Sequence, residues 1–123
     1  MKLRIRGSSV RLRLTRGEVQ RVAEGGRVED AVAFGPTQRL SYALVAADVS
    51  VPSATFDQAA IIVSIPHAQL HAWATSDDVG IEAQQSIGNG QALSILVEKD
   101  FACLTPRKGE DDGDAFPNPN ETC

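Results

Sequence analysis

The chain has 123 residues, 42% of them hydrophobic, which is enough for one domain around a single core. The longest apolar stretch, residues 59–65, is far shorter than the roughly 18 residues of a membrane span. The opening MKLRIRG places charges where a signal peptide has an apolar block. We therefore expect a cytoplasmic protein with no membrane partner.

Charge is distributed unevenly along the chain, whose net charge is −4. Residues 1–27 contain eight of the 12 basic side chains but only two of the 16 acidic ones. Nucleic-acid-binding proteins combine basic surfaces with aromatic side chains for stacking, whereas this chain is acidic overall and only 5% aromatic. We expect no nucleic-acid partner, and interpret the basic segment as balancing acidic side chains elsewhere in the fold.

The first predicted element is a hairpin. Residues 2–6 and 10–14 alternate strictly between apolar and basic side chains, which predicts two strands joined by a turn at residues 7–9. One face of this hairpin is basic and consists of Lys2, Arg4, Arg6, Arg11 and Arg13.

A short helix is predicted to follow the hairpin. Thr15 and Glu18 have the spacing of a capping box, in which each side chain accepts a hydrogen bond from the other residue's backbone amide. Val19 and Val22 begin a buried stripe, and glycines at 25 and 26 suit the left-handed backbone that ends a helix.

The middle of the chain predicts a second hairpin, a link, a strand and a second helix. The hairpin covers residues 28–44 and is followed by a polar link at residues 46–53 and an apolar, central strand at residues 59–65. Pro66 ends that strand and suits the first turn of a helix. This helix buries Leu70, Trp73 and Ala74 on one side.

A third hairpin, residues 81–97, repeats residues 28–44 without a gap at an offset of 53 positions. The preceding strand and helix repeat at an offset of 51. The identical pairs are Glu29/Glu82, Gly35/Gly88, Gln38/Gln91, Leu40/Leu93 and Ser41/Ser94. We predict an α+β fold built from a duplicated β-α-β-β unit, with a mainly antiparallel sheet and two short helices. The alternative is convergence, because hairpins that follow short helices share these features.

The predicted domain covers residues 1–104, and residues 105–123 form a Pro-rich, acidic C-terminal arm. This arm contains prolines, glycines and a cluster of acidic residues without hydrophobic periodicity. Phe116 is its candidate apolar anchor to the domain.

Residues that commonly carry catalysis or metal binding are sparse and poorly spaced. His67 and His71 are four positions apart on the second helix, but no third ligand follows at a usual spacing. Cys103 and Cys123 are too few for a disulfide framework and fit no zinc pattern. We expect no metal, no cofactor and no catalytic residue that the sequence can identify.

The basic face of the first hairpin has two interpretations. Strands that carry Arg4, Arg6, Arg11 and Arg13 could line a groove for a phosphorylated or carboxylated ligand, since guanidinium groups bind such anions in a bidentate manner. Alternatively, these arginines pair with Glu98 and Asp100 across neighbouring strands. Structural pairing is the preferred interpretation.

Two resemblances extend this interpretation. The segments MKLRIRGSSVRLRLTRGEV, LVEKDFACLTPR and DAFPNP resemble a family of short bacterial proteins of unknown function, which carries over no functional residue. The inferred duplication is similar to bacterial effector-binding domains of the gyrase-inhibitor-like and SOUL-like type. That similarity implies a small-ligand cleft between the two halves, with Tyr42, Phe56 and Trp73 as its aromatic side chains.

We predict a non-enzymatic binding or interaction module with its cleft between two pseudo-symmetric halves. One alternative is an enzyme that acts on a polyphosphate or nucleotide through the arginine-bearing strands, and another is a structural or oligomerising domain. The partners left open are a small-molecule ligand and a second copy of the chain. The predicted ligand-binding residues are Tyr42, Trp73, Arg4, Arg11 and Arg13.

Overall fold

The computed structural model describes residues 1–101 and residue 116. Its elements, in chain order, are β1 (Lys2–Ile5), β2 (Ser9–Leu14), α1 (Arg16–Gly25), β3 (Arg27–Ala33), β4 (Arg39–Ala47), β5 (Ser53–Asp57), β6 (Ala60–Pro66), α2 (His67–Ala74), β7 (Gly80–Gly88) and β8 (Gln91–Lys99). None of the helices in the described part of the chain is long and apolar enough to span a membrane.

The strands form two four-stranded sheets of mixed direction. The first sheet has the order β1-β2-β8-β7 and the second has the order β3-β4-β6-β5. Each sheet consists of two antiparallel hairpins joined by a central parallel pair, β2 with β8 and β4 with β6. The predicted α+β class with mainly antiparallel pairing is therefore confirmed, and the two parallel pairs are an addition that the sequence did not indicate.

The strand registers support the predicted duplication. Leu12 pairs with Val97 in the first sheet, and Val63 pairs with Leu44 in the second. The sequence offsets of 51 and 53 convert the first pair into the second. The whole order β1-β2-β8-β7 is likewise converted into β5-β6-β4-β3.

The repeated unit is a hairpin, a helix and a second hairpin, one strand longer than predicted. Each sheet takes one hairpin from each half of the chain, so the two halves are intertwined. Their boundary in each sheet is consequently a pair of hydrogen-bonded strands.

Strand β5 is the element that the sequence did not predict. Its residues, SATFD, are mostly small or polar, and four of the five are not buried. It lies at the edge of the second sheet, where it pairs only with β6 within that sheet. Edge strands of this kind carry a weak hydrophobic pattern, because tertiary pairing rather than burial orders them.

Both sheets and both helices contribute to one continuous core. Helix α1 begins with the predicted capping box, in which the Glu18 amide donates to Thr15 Oγ1 and the Thr15 amide donates to Glu18 Oε1. It ends at Gly26, whose φ of 76° is left-handed. The largest fully buried side chains are Trp73, Leu12, Leu14, Leu44, Ile65, Leu70, Ile95, Val22, Val63 and Val97.

The molecule has a helix end and a turn end. Strands β2 and β6 lead directly into α1 and α2, and the two helices contact each other. The turns within the four hairpins, at residues 6–8, 34–38, 58–59 and 89–90, lie at the opposite ends of the strands. We call this surface the turn end.

Phe116 anchors to the domain as predicted. Its backbone amide donates to the Asp100 carbonyl at 2.7 Å, and its ring centroid lies 5.8 Å from that of Phe101. The ring also lies 5.7 Å from the guanidinium carbon of Arg16. The remainder of the predicted arm, together with Cys103 and Cys123, falls outside the described residues.

Candidate anion-binding site

The outer face of the first sheet concentrates basic side chains. Antiparallel pairing of β1 with β2 places Arg4 directly opposite Arg11, and Lys2 opposite Arg13. Like charges on directly opposed residues repel each other, so this arrangement requires negative charge from a neighbouring strand or from a ligand.

On this face, two carboxylates form ion pairs with the basic side chains nearest the helix end. Arg11 Nε lies 3.1 Å from Glu98 Oε1, and Arg13 Nε lies 3.6 Å from the same oxygen. The buried Asp100 forms two further ion pairs, from Oδ1 to Arg13 Nη1 at 3.9 Å and from Oδ2 to Lys2 Nζ at 3.3 Å. The predicted structural pairing is thus confirmed for Arg11 and Arg13.

The basic side chains nearest the turn end are not paired in this way. Arg4 and Arg6 are exposed, and neither forms an ion pair with another residue among positions 1–101 and 116. With Arg11 they line a cavity of about 160 Å³ in the outer face of the sheet. Positive charge at this cavity therefore exceeds what the surrounding described carboxylates offset.

Hydroxyl groups complete the polar lining of the cavity. Ser9 and Ser94 are register partners across the parallel pair β2 and β8, and both line the cavity. Ser9 Oγ donates to the Arg6 carbonyl at 2.7 Å, which holds the turn that carries Arg6. Ser94 Oγ exchanges hydrogen bonds with the Gln84 side chain at 2.9 and 3.2 Å. Each hydroxyl donates its one proton within the protein and retains acceptor capacity, so donation to a ligand requires rotation of the hydroxyl.

A single carboxylate, Glu82, also lines this cavity. It lies on β7 opposite Leu96 and is exposed. The cavity is lined by three guanidinium groups and one carboxylate, Glu82, and Glu98 pairs with one of the three, Arg11. The net charge at the cavity is therefore positive, which suits a compact anion. Guanidinium groups bind phosphate and carboxylate oxygens with paired, directional hydrogen bonds.

The equivalent face of the second sheet does not repeat this chemistry. The sequence offset of 51 places Thr55, Asp57 and Ile62 where the first sheet has Arg4, Arg6 and Arg11. A larger depression of about 480 Å³ on that face is lined by Glu29, Asp30, Ala31, Arg39 and Ser41. The basic site consequently belongs to one of the two sheets, with its arginines from the first half of the chain and Glu82 and Ser94 from the second.

The other two predicted ligand-binding residues lie in the core. Tyr42 is 8% exposed and donates its hydroxyl to the Met1 carbonyl at 3.2 Å. Burial raises the pKa of Tyr42, and the negative charges of Asp30 and Glu18 act in the same direction. Trp73 is 2% exposed and donates its indole N–H to the Val79 carbonyl at 3.2 Å. The structure thus brings Arg4 and Arg11 together, and leaves Tyr42 and Trp73 away from them as packing residues.

The predicted ligand-binding residues did not include Arg6, Ser9, Glu82 and Ser94, which also line the cavity. Arg6 belongs to the predicted basic face, and its position next to the turn was the signal that could have included it. Ser9 and Ser94 meet through parallel pairing of strands that are about 80 residues apart in the chain, and sequence periodicity carries no information on such pairing.

A second cavity of about 390 Å³ lies between the helices. His67 and His71 line it together with Gly26, Ala46 and Leu70. His67 Nε2 lies 3.3 Å from Asp48 Oδ1. Among residues 1–101 and 116 there is no group of three or more histidine, cysteine, aspartate or glutamate side chains that could hold a metal ion. The expectation of a metal-free protein stays a prediction.

Together these features define an α+β protein made of two intertwined hairpin-helix-hairpin units, with a basic cavity on one sheet. The model of a family of unknown function (DUF7009) matches residues 1–120, and the chain belongs to that family, as the sequence predicted. Neither the curated proteins nor the solved structures gave a match. The similarity to effector-binding domains accordingly stays a prediction.

Proposed function

We propose that this protein is a non-enzymatic binding module for a small polyanion, held on the outer face of the first sheet. The observation that carries the proposal is the convergence of Arg4, Arg6 and Arg11 on one cavity, where Arg4 and Arg6 lack ion-pair partners among the described residues. The site lies on the first sheet where the hairpins of the two halves pair, so the proposal specifies the small-ligand site that the sequence predicted between the halves.

The size of the cavity favours a phosphate-sized or short polyphosphate group over a large ligand. About 160 Å³ is the volume of a few water molecules, since each occupies about 30 Å³ in the liquid. Ser9 and Ser94 add hydroxyl groups that can donate to phosphate oxygens by rotating away from the Arg6 carbonyl and the Gln84 side chain. Glu82 at the rim favours ligands that also present a hydrogen-bond donor.

The pairing of the other basic side chains supports a local site rather than a broad basic surface. Glu98 and Asp100 pair with Arg11, Arg13 and Lys2, whereas Arg4 and Arg6 on the same face have no ion-pair partner among the described residues. An extended polyanion such as nucleic acid needs a continuous run of basic contacts. A compact anion needs only this cluster.

Calorimetric titration with tripolyphosphate tests the proposal. We expect binding at low ionic strength that weakens at physiological ionic strength, because charged contacts on a partly exposed surface are screened by salt. Arg4→Gln and Arg6→Gln should each weaken binding by about tenfold, since a hydrogen bond to a charged group contributes about 1.5 to 3 kcal/mol.

Arg21→Gln is the matched control. Arg21 lies on α1, is exposed and contacts Glu18 at 3.9 Å, so its loss changes the net charge equally without touching the cavity. The affinity of Arg21→Gln for tripolyphosphate should stay within about twofold of the wild type. If Arg21→Gln lost as much affinity as Arg4→Gln and Arg6→Gln, the binding would depend on net charge and not on the cavity. Release of inorganic phosphate during the titration would favour the polyphosphate enzyme instead.

A further inference from the structure

The turn end exposes large apolar side chains that continue the core-facing pattern of the strands. Phe56 follows the buried Ala54 by two residues on β5 and is 70% exposed. Phe34 follows Val32 by two residues just beyond β3 and is 69% exposed. Side chains two positions apart in a strand point to the same face. The inner faces of the sheets therefore extend at the turn end into water.

The same apolar pattern occurs in both halves. Ile5 and Phe56 are equivalent at the offset of 51, and Phe34 and Ile87 are equivalent at the offset of 53. All four are exposed, and they are four of the seven large exposed hydrophobic side chains among the described residues. The duplication thus repeats an exposed apolar pair at the turn end of the molecule.

A contact between the sheets groups these side chains. The Gln85 side chain of β7 accepts from the Ala54 amide at 2.7 Å and donates to the Ala54 carbonyl at 3.0 Å, which links the edge strands of the two sheets. Phe56 and Ile87 each lie two residues beyond this link toward the turn end. The equivalent pair in the other half is Ile5 with Phe34.

Opposite charges flank the two apolar pairs. Arg6 directly follows Ile5, and Asp57 directly follows Phe56, so the offset of 51 relates Arg6 to Asp57. Both side chains are exposed, and neither forms an ion pair within residues 1–101 and 116. The turn end therefore presents a positive corner and a negative corner at equivalent positions.

We propose that the turn end is the interface for a second copy of this chain, docked end to end. A twofold axis that exchanges the copies brings Arg6 of each copy against Asp57 of the other, so both ion pairs form together. It also covers the apolar pairs Ile5/Phe34 and Phe56/Ile87 on both copies. Contacts of this self-complementary kind are the commonest in homo-oligomers, and groups of large exposed apolar side chains mark interaction sites.

Sedimentation velocity of the full chain over a range of concentrations, without added phosphate, tests this interface. The wild type should dimerise, and Phe56→Ser or Phe34→Ser should weaken the dimer by at least about tenfold, because central apolar side chains dominate binding energy. Val51→Ser is the matched control, since Val51 is 64% exposed but lies in the link before β5 at the helix end. It should leave the dimer unchanged.

Charge reversal gives a sharper test that does not depend on apolar contacts. Arg6→Asp and Asp57→Arg should each weaken the dimer, because each places like charges against each other in both symmetric contacts. The double variant Arg6→Asp/Asp57→Arg should restore it. Circular dichroism of each variant checks that the fold is retained.

Three results would overturn the interface. They are a wild type that stays monomeric at every concentration, an equal effect of Val51→Ser and Phe56→Ser, or a double charge reversal no better than either single one. If the wild type is folded but monomeric, a second copy is not the partner, and the exposed apolar side chains of the turn end would serve a partner of another kind. Because self-association is measured without phosphate, its failure is separate from that of anion binding.

Discussion

Lys99 is a buried cation with an unusual set of neighbours. Its side chain is 5% exposed, and Nζ donates to the Ser76 carbonyl at 2.6 Å. Nζ also lies 5.6 Å from the Trp73 ring centroid and 5.4 Å from that of Phe116. Burial lowers the pKa of Lys99, while Asp77 and Asp78 act in the opposite direction. This one side chain joins the α2–β7 link, the core and Phe116.

Lys99 should make the stability of the protein depend on pH. Because burial lowers its pKa in the folded state, the unfolded chain, with the ordinary value of 10.5, holds this proton more tightly. Stability therefore rises with pH in the window just below 10.5. In urea titrations, the wild type should gain free energy of unfolding relative to Lys99→Met between about pH 7 and about pH 10.

Burial raises the pKa of Tyr42 above its ordinary value of 10.0, and Tyr42 is present in both proteins, so its contribution cancels in the comparison. The lowered pKa would be contradicted by a difference in stability between the two proteins that stays constant or shrinks as the pH rises.

Trp73 should be one of the most costly side chains to truncate. It is 2% exposed, lies in the shared core and donates its indole N–H to Val79. Trp73→Ala should lower the free energy of unfolding by about 3 to 5 kcal/mol, as large-to-small core substitutions do. Phe34→Ala, at an exposed aromatic position, should cost less than about 1 kcal/mol under conditions where the chain is monomeric. Denaturant titration of both variants checks the contrast, and a cost below about 1 kcal/mol at Trp73 would place it at a surface.

At the scale of elements, the first helix was predictable because its signals are local. Thr15 and Glu18 form both hydrogen bonds of the capping box, at 3.3 and 3.0 Å. Thr15→Ala should therefore lower the free energy of unfolding by about 1 kcal/mol. Thr15→Ser keeps the hydroxyl and should stay within about 0.5 kcal/mol of the wild type. Thermal unfolding of both variants measures this, and equal losses would mean that the methyl group, not the cap, is what matters.

Pairing between distant strands was beyond the sequence. The hairpins were visible because alternation and turn residues lie within about 20 positions of one another. The parallel pairs β2 with β8 and β4 with β6 involve no local signal, and β5 is ordered by pairing with β6 rather than by its own hydrophobicity. The repeat in sequence indicated equivalent halves, but not that they exchange hairpins between two sheets.

The candidate site was predictable in part for the same reason. Period-two alternation placed Arg4, Arg11 and Arg13 on one face, and the pairing of Arg11 and Arg13 with Glu98 followed from charge complementarity. The register of β8 against β2 decides which arginines meet Glu98 and which, such as Arg4 and Arg6, have no ion-pair partner among the described residues. The sequence does not encode that register locally. Tyr42 and Trp73 were assigned to a cleft by similarity, whereas their apolar bulk is used in the core.

At the scale of the whole molecule, duplication accounts for the shared architecture of the two halves, and the differences between equivalent positions account for its asymmetry. Intertwined halves share two sheets and one core, so neither half contains a complete sheet by itself. The outer faces are free of that constraint and have diverged, with arginines on the first sheet where the second has Thr55, Asp57 and Ile62. The proposed anion site and the proposed dimer interface both arise from this difference between equivalent positions.

Amide chemical-shift mapping with tripolyphosphate tests the proposed anion site most directly, because it locates the ligand as well as detecting it. At low ionic strength, we expect the largest shifts at Arg4, Arg6, Ser9 and Ser94, which line the basic cavity. Residues of the other two cavities, such as Ala46 between the helices and Arg39 on the second sheet, should barely move. Shifts concentrated at Ala46 or Arg39, or none that saturate, would contradict a binding site on the first sheet.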